Sequence, residues 1–96
     1  MVTRSHRYQT LDDLRDFILQ ILSEFEQLEL GAFRMTERLL IRRNSPCGMF
    51  FCLHGPRSVK PTAVWDALQN IVMFYAPSGE RYQTTQLTEA PELTRL

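Results

Sequence analysis

The stretch Val59 to Leu87, VKPTAVWDALQNIVMFYAPSGERYQTTQL, restricts the possible folds of this chain more than any other, because it carries three successive strand signals and one sharp turn. Val59, Pro61, Ala63, Trp65 and Ala67 alternate with Lys60, Thr62, Val64, Asp66 and Leu68. That period, close to two, fits a strand over 59–68 with one buried face and Trp65 as its inward anchor. Ile71 to Ala76 is apolar at every position and rich in β-favouring types, so it reads as a strand covered on both faces. In Ala76-Pro77-Ser78-Gly79, proline supplies the fixed φ of a type I turn and glycine the left-handed position that closes a three-residue hairpin. Strands 71–76 and 80–87 are therefore expected as antiparallel neighbours.

Upstream, Thr10 is a favoured N-cap, and Asp13 can answer it in the manner of a capping box. Asp12, Asp13 and Asp16 stand where the helix dipole favours negative charge. Leu11, Leu14, Phe17, Ile18, Ile21, Leu22, Phe25 and Leu28 then recur at spacings of three and four, which predicts an amphipathic helix of about five turns with Gly31 as its C-terminal stop. Alternation resumes with Leu39 and Ile41 against Arg38 and Arg42, predicting a strand over 35–43. Asn44-Ser45-Pro46-Cys47-Gly48 is a cluster of turn formers, and the apolar run 49–53 makes the second arm of a hairpin. His54-Gly55-Pro56-Arg57-Ser58 separates that hairpin from the stretch above.

One helix followed by five strands on short connections predicts an α+β domain: an N-terminal amphipathic helix packed on a five-stranded antiparallel meander, with a strongly curled sheet or small barrel as the alternative. A chain of 96 residues forms one domain, here with an ordered core over about 8–88 and loose ends. Apolar content of 44% and charged content of 23% are ordinary for a globular protein and argue against disorder. The longest apolar run is far below the ~20 residues that a membrane-spanning helix needs. The N-terminal MVTRSHRYQ lacks the apolar segment of a signal peptide, and Cys47 and Cys52 are too few for a disulfide framework. Both points place the chain in the cytoplasm as thiol-bearing protein.

A single helix covers only one side of such a sheet. Phe50, Val72 and Phe74 are read as an apolar set on the other side, and leaving them wet would forgo roughly 1.5 to 3 kcal/mol for each large side chain. A contiguous patch of that kind marks an interaction surface, so a homo-oligomer or a protein partner is expected there.

Chemistry-bearing residues are sparse. Cys47, Cys52 and His54 are metal-ligand types, and Cys52 and His54 share one side of an extended strand, but their spacing is not a usual zinc spacing and the remaining histidine is His6. A cysteine nucleophile would need a base and an orienting group, and no third member accompanies Cys47 and His54. No metal, cofactor or catalytic set is implied, and no enzymatic activity is expected. Charge is balanced overall but uneven along the chain: residues 32–60 hold six basic and one acidic side chain, against three and six in 1–31 and two and four in 61–96. Arg38, Arg42, Arg43, Arg57 and Lys60, with Arg34, therefore form the candidate set for nucleic acid or another polyanion. A pI near 6.7 weighs against a dedicated nucleic-acid binder. The alternative for these cations is pairing with the acidic helix and tail.

Overall fold

A computed structural model describes residues 5–93, with side chains from Tyr8 onward. Of the ends read above as loose, residues 1–4 and 94–96 lie outside the described residues, whereas Glu89 still belongs to a strand and Leu93 is buried in the core. The elements in chain order are β1 (Ser5–Arg7), α1 (Leu11–Phe25), β2 (Met35–Arg42), β3 (Ser45–Leu53), a short 3-10 turn (Pro56–Ser58), β4 (Thr62–Asp66), β5 (Ile71–Tyr75) and β6 (Arg81–Glu89).

α1 starts as its sequence dictates. The Thr10 hydroxyl accepts a hydrogen bond from the Asp13 N–H at 3.1 Å, and Asp12 and Asp13 occupy the first turn. It ends earlier than expected. Gln27, not Gly31, takes the first left-handed position (φ 55°), and the Leu28 N–H reaches back to the Ser23 carbonyl at 2.8 Å. This C-terminal motif turns Leu28 onto the core, where it packs against the buried cluster. Packing of Leu28 thus outweighs the cost of about 1 kcal/mol or more for glutamine in a left-handed conformation.

β2 to β6 form the expected antiparallel meander, and β1 adds a parallel strand beside β6, giving the order β1-β6-β5-β4-β3-β2. Residues 5–7 are therefore a paired strand and not a loose end. A parallel neighbour is recognised by the strand beside it and not by its own three residues, which are too few to show a period. β1 and β2 are the two edges and do not pair, so the sheet is not closed into a barrel.

Turn chemistry accounts for the registers. The β5–β6 loop is as expected: Ala76 N–H bonds to the Glu80 carbonyl, Gly79 N–H to the Ala76 carbonyl, each at 2.8 Å, and Gly79 has φ 94°. The β2–β3 loop is tighter than the turn-former cluster suggests. Only Arg43 and Asn44 lie outside the strands, both left-handed (φ 52° and 63°), as a two-residue hairpin of the right-handed sheet twist requires. Pro46, Cys47 and Gly48 belong to β3, and Cys47 is the extra residue of a bulge, since Leu40 pairs with Gly48 and Ile41 with Pro46.

α1 crosses one face over β3 and β4. Its buried Leu14, Ile18 and Leu22, spaced by one turn, meet Met49, Phe51, Leu53, Ala63, Trp65, Val72, Phe74 and Leu87 from the sheet. Phe17 extends this layer, stacking on Tyr8 with centroids 5.0 Å apart and meeting Phe74 edge-on at 6.0 Å. Phe25 lies flat on Tyr82 at the far end of the helix.

Candidate interaction surface

Strand register decides which side chains face the helix. Trp65 pairs with Val72 and Ala63 with Phe74, so these four point into the core, where each is fully buried. The expected second-face set is therefore split: Phe50 stands on the outer face, whereas Val72 and Phe74 are core residues. Ile71, Met73 and Tyr75, the alternate positions of the same strand, take the outer face instead. An unbroken apolar run hides its own parity. The pairing with β4 sets it: Asp66 pairs with Ile71, which carries the inward setting of Trp65 onto Val72.

The outer face is a half-buried apolar band. Leu40 comes from β2, Phe50 from β3, Val64 from β4, and Ile71, Met73 and Tyr75 from β5. Among the described residues no element lies over it. Thr36, Cys52, Thr62 and Thr84 set polar and thiol groups among these side chains. Tyr75 Oη contacts the Met73 sulfur at 3.7 Å, and the Arg38 guanidinium lies over the Phe50 ring, 5.2 Å from its centroid. At the β2–β3 turn end, Leu40, Arg42, Cys47, Val64, Asp66, Leu68 and Met73 enclose a depression of about 150 Å³. It adjoins a shallower one of about 350 Å³ walled by Arg42, Arg43, Ser45, Pro46, Cys47 and Leu68.

The basic set is spread along the sheet. Arg42 and Arg43 stand at the β2–β3 turn and Arg57 and Lys60 in the connection at the opposite end of the hairpin. The eight residues of β2 put these groups roughly 25 Å apart, with Arg38 between them. Arg57 and Ser58 are both left-handed (φ 55° and 63°). Among the described residues none of these cations is ion-paired with the acidic helix. Its pairing goes through Arg15, which grips Glu37 with two guanidinium nitrogens, Nε at 2.6 Å, and Asp12 at 2.8 Å. That bidentate contact with Glu37, foremost among the causes, raises the Arg15 pKa above its ordinary value.

Cys47, Cys52 and His54 are not gathered. Five residues of strand separate the two thiols by roughly 16 Å, too far for a disulfide or a shared ion. Both cysteines are free, and no group of three metal-ligating side chains converges among the described residues. Cys47 sits in the bulge of β3 and not in a turn, its thiol directed at the Leu40 carbonyl. His54 Nε2 is 2.8 Å from the Thr36 hydroxyl.

Tyr82 is a polar group spent on packing. Its hydroxyl is buried without a hydrogen-bond partner, and burial first, then the nearby Glu26 charge, raises its pKa well above 10.0. The folded state thus holds the tyrosine proton more tightly than the unfolded chain does. This contribution is fully present below pH 10, the unfolded value, and is lost as pH climbs above it. Tyr82→Phe should leave stability at neutral pH unchanged or slightly higher, and should flatten the alkaline decline in urea midpoint, with a residue due to Tyr8, which burial also raises. An alkaline decline as steep as that of the parent chain would contradict this assignment.

Comparison with known proteins finds no family model that matches the chain, no curated protein that matches it and no solved structure that matches it.

Proposed function

We infer that this chain is a small non-enzymatic interaction module, a subunit whose outer sheet face is covered by a protein partner or by a second copy of itself. The observation that carries this reading is the band Leu40, Phe50, Val64, Ile71, Met73 and Tyr75, half-buried and contiguous on the face opposite the helix. Two sheets packed face to face, or a helix laid across the band, would remove that apolar surface from water. Two free thiols suit a reducing compartment such as the cytoplasm, and no helix of the described residues is long and apolar enough to cross a membrane.

Light scattering on the eluting protein tests the self-associating form. The expected mass exceeds 11.3 kDa, the monomer value. Met73→Glu combined with Val64→Asp should return the chain to a monomer with unchanged circular dichroism, because both side chains lie outside the core. A parent chain that stays monomeric at high concentration and binds no apolar dye would rule that form out.

A polyanion lying along β2 is the second reading. It is favoured by Arg38 and Arg42, exposed on one face and without a carboxylate partner among the described residues. Binding that weakens steeply with added salt would support it.

A further inference from the structure

We propose that the free edge of β2 accepts an extended protein segment as an added strand, and that this segment alternates acidic with apolar side chains. The surface is the outward edge of β2, whose backbone groups are separate from the apolar band, although its arginines border that band on the outer face.

The backbone comes first. The His54 N–H donates to the Arg34 carbonyl at 2.9 Å, one step beyond the Met35 and Leu53 pair that ends the β2–β3 register. Antiparallel pairing alternates bonded and non-bonded pairs, so Thr36, Arg38 and Leu40 turn their N–H and C=O groups toward β3. Met35, Glu37 and Leu39 turn theirs outward. A bond on the far side of β3 agrees with this parity: Leu53, opposite Met35, donates its N–H to Pro61 at 3.0 Å, away from β2. β2 is the last strand of the sheet, and among the described residues nothing pairs with its outward groups. An eight-residue edge of this kind is a template for a further strand.

The side chains then select what is added. On the outer face β2 shows Arg38 and Arg42, both exposed and without an ion pair among the described residues. On the helix side it shows Leu39 and Ile41, 37% and 62% exposed, beside Met35. Glu37, on that same side, is already held by Arg15. A strand lying alongside therefore meets cations at alternate positions on one face and apolar surface on the other. Carboxylates facing Arg38 and Arg42, with aliphatic side chains facing Leu39 and Ile41, satisfy both rows in one register.

A second copy of β2 does not. A two-fold axis normal to the sheet sets the row Thr36, Arg38, Leu40, Arg42 against itself, which places cation near cation with no carboxylate in the row. A nucleic acid would answer the arginines but leave the outward amides and the Leu39 and Ile41 side chains without partners.

The test uses the full chain, isotopically labelled, and two synthetic peptides, one alternating glutamate with valine and one alternating lysine with valine. The glutamate peptide should bind about tenfold more tightly, given two facing cations. It should slow hydrogen exchange at the Glu37 and Leu39 amides, which point outward, with the already bonded Thr36 and Arg38 amides little changed. Leu39→Pro removes one outward N–H without touching the β2–β3 ladder and should abolish binding. Should that variant misfold, Arg38→Glu with Arg42→Glu serves instead and should reverse the preference in favour of the lysine peptide. Equal binding of the two peptides to the parent chain would overturn the proposal, as would an unchanged preference in the charge-reversed variant. Protection confined to outer-face residues such as Met73, equal competition by single-stranded DNA, or dimerisation through β2 without peptide would overturn it as well.

Discussion

Gly48→Ala is expected to unfold this protein or bring it close to unfolding. A Cβ built on Gly48 would lie 2.0 Å from the Trp65 carbonyl oxygen and 3.2 Å from its carbonyl carbon. The obstacle is backbone, and it belongs to the strand directly paired with β3: Gly48 is opposite Asp66, and the neighbouring Cys47 carbonyl accepts from the Ala67 N–H at 2.9 Å. No rotamer change can relieve such a contact. β3 and β4 must separate at the end of their ladder, displacing Trp65 from the centre of the core. Ordinary overpacking costs about 1 to 3 kcal/mol, and this case belongs at or above the top of that range. A domain of this size has about 5 to 10 kcal/mol in total. Urea titration followed by the fluorescence of Trp65, the single tryptophan, measures the loss directly. Gly79→Ala is the matching control, since Gly79 has φ 94° but nothing within 4 Å of an added Cβ. Its cost should be about 1 to 2 kcal/mol, from the left-handed backbone alone. A Gly48→Ala chain as stable as the Gly79→Ala chain would show that β3 and β4 do not approach as closely as described.

Phe74→Glu is the second large effect, and it separates the core from the outer face. Phe74 has no exposure, touches Phe17 edge-on and lies within 6.3 Å of Tyr82. Truncation to alanine should cost about 3 to 5 kcal/mol through lost burial and the cavity left behind. A carboxylate there would have no cation to pair with and would add its own desolvation, so Phe74→Glu should not fold. Val72→Glu should behave in the same way, because Val72 is equally buried beside Trp65. Met73→Glu, one position away on the same strand, should fold with a midpoint close to that of the parent. Circular dichroism and urea midpoints of the three variants give the comparison, and a well-folded Phe74→Glu chain would refute the register of β4 and β5.

The contrast between Met73 and Phe74 shows where sequence reading stops. Along α1 the spacing of Leu14, Ile18 and Leu22 marks the buried stripe unaided, because polar residues fill the remaining face. β4 is equally legible, since Ala63 and Trp65 alternate with Thr62 and Asp66. β5 has no polar residue to break the tie, so its period does not separate Val72 and Phe74 from Ile71, Met73 and Tyr75. The Asn44 to Gly48 cluster is ambiguous for a different reason. Its turn-forming residues serve a bulge and a close strand approach, two further uses of glycine and proline that composition alone does not distinguish from a loop. The basic residues were legible as a set but not as a surface, because their distribution over both ends of a hairpin depends on where the chain reverses.

By itself the sequence determined the class of the fold: an N-capped amphipathic helix, five strands in chain order, the Ala76 to Gly79 hairpin and Trp65 as the inward anchor. These follow from local periodicity and turn stereochemistry, which act over a few residues. Only the tertiary structure decided that residues 5–7 pair with β6, that Val72 and Phe74 belong to the core while Phe50 and Met73 do not, and that β2 is left as a free edge with its arginines on one side and Leu39 and Ile41 on the other. Each of those depends on pairing between residues distant in sequence, where one residue of register exchanges the two faces of a strand.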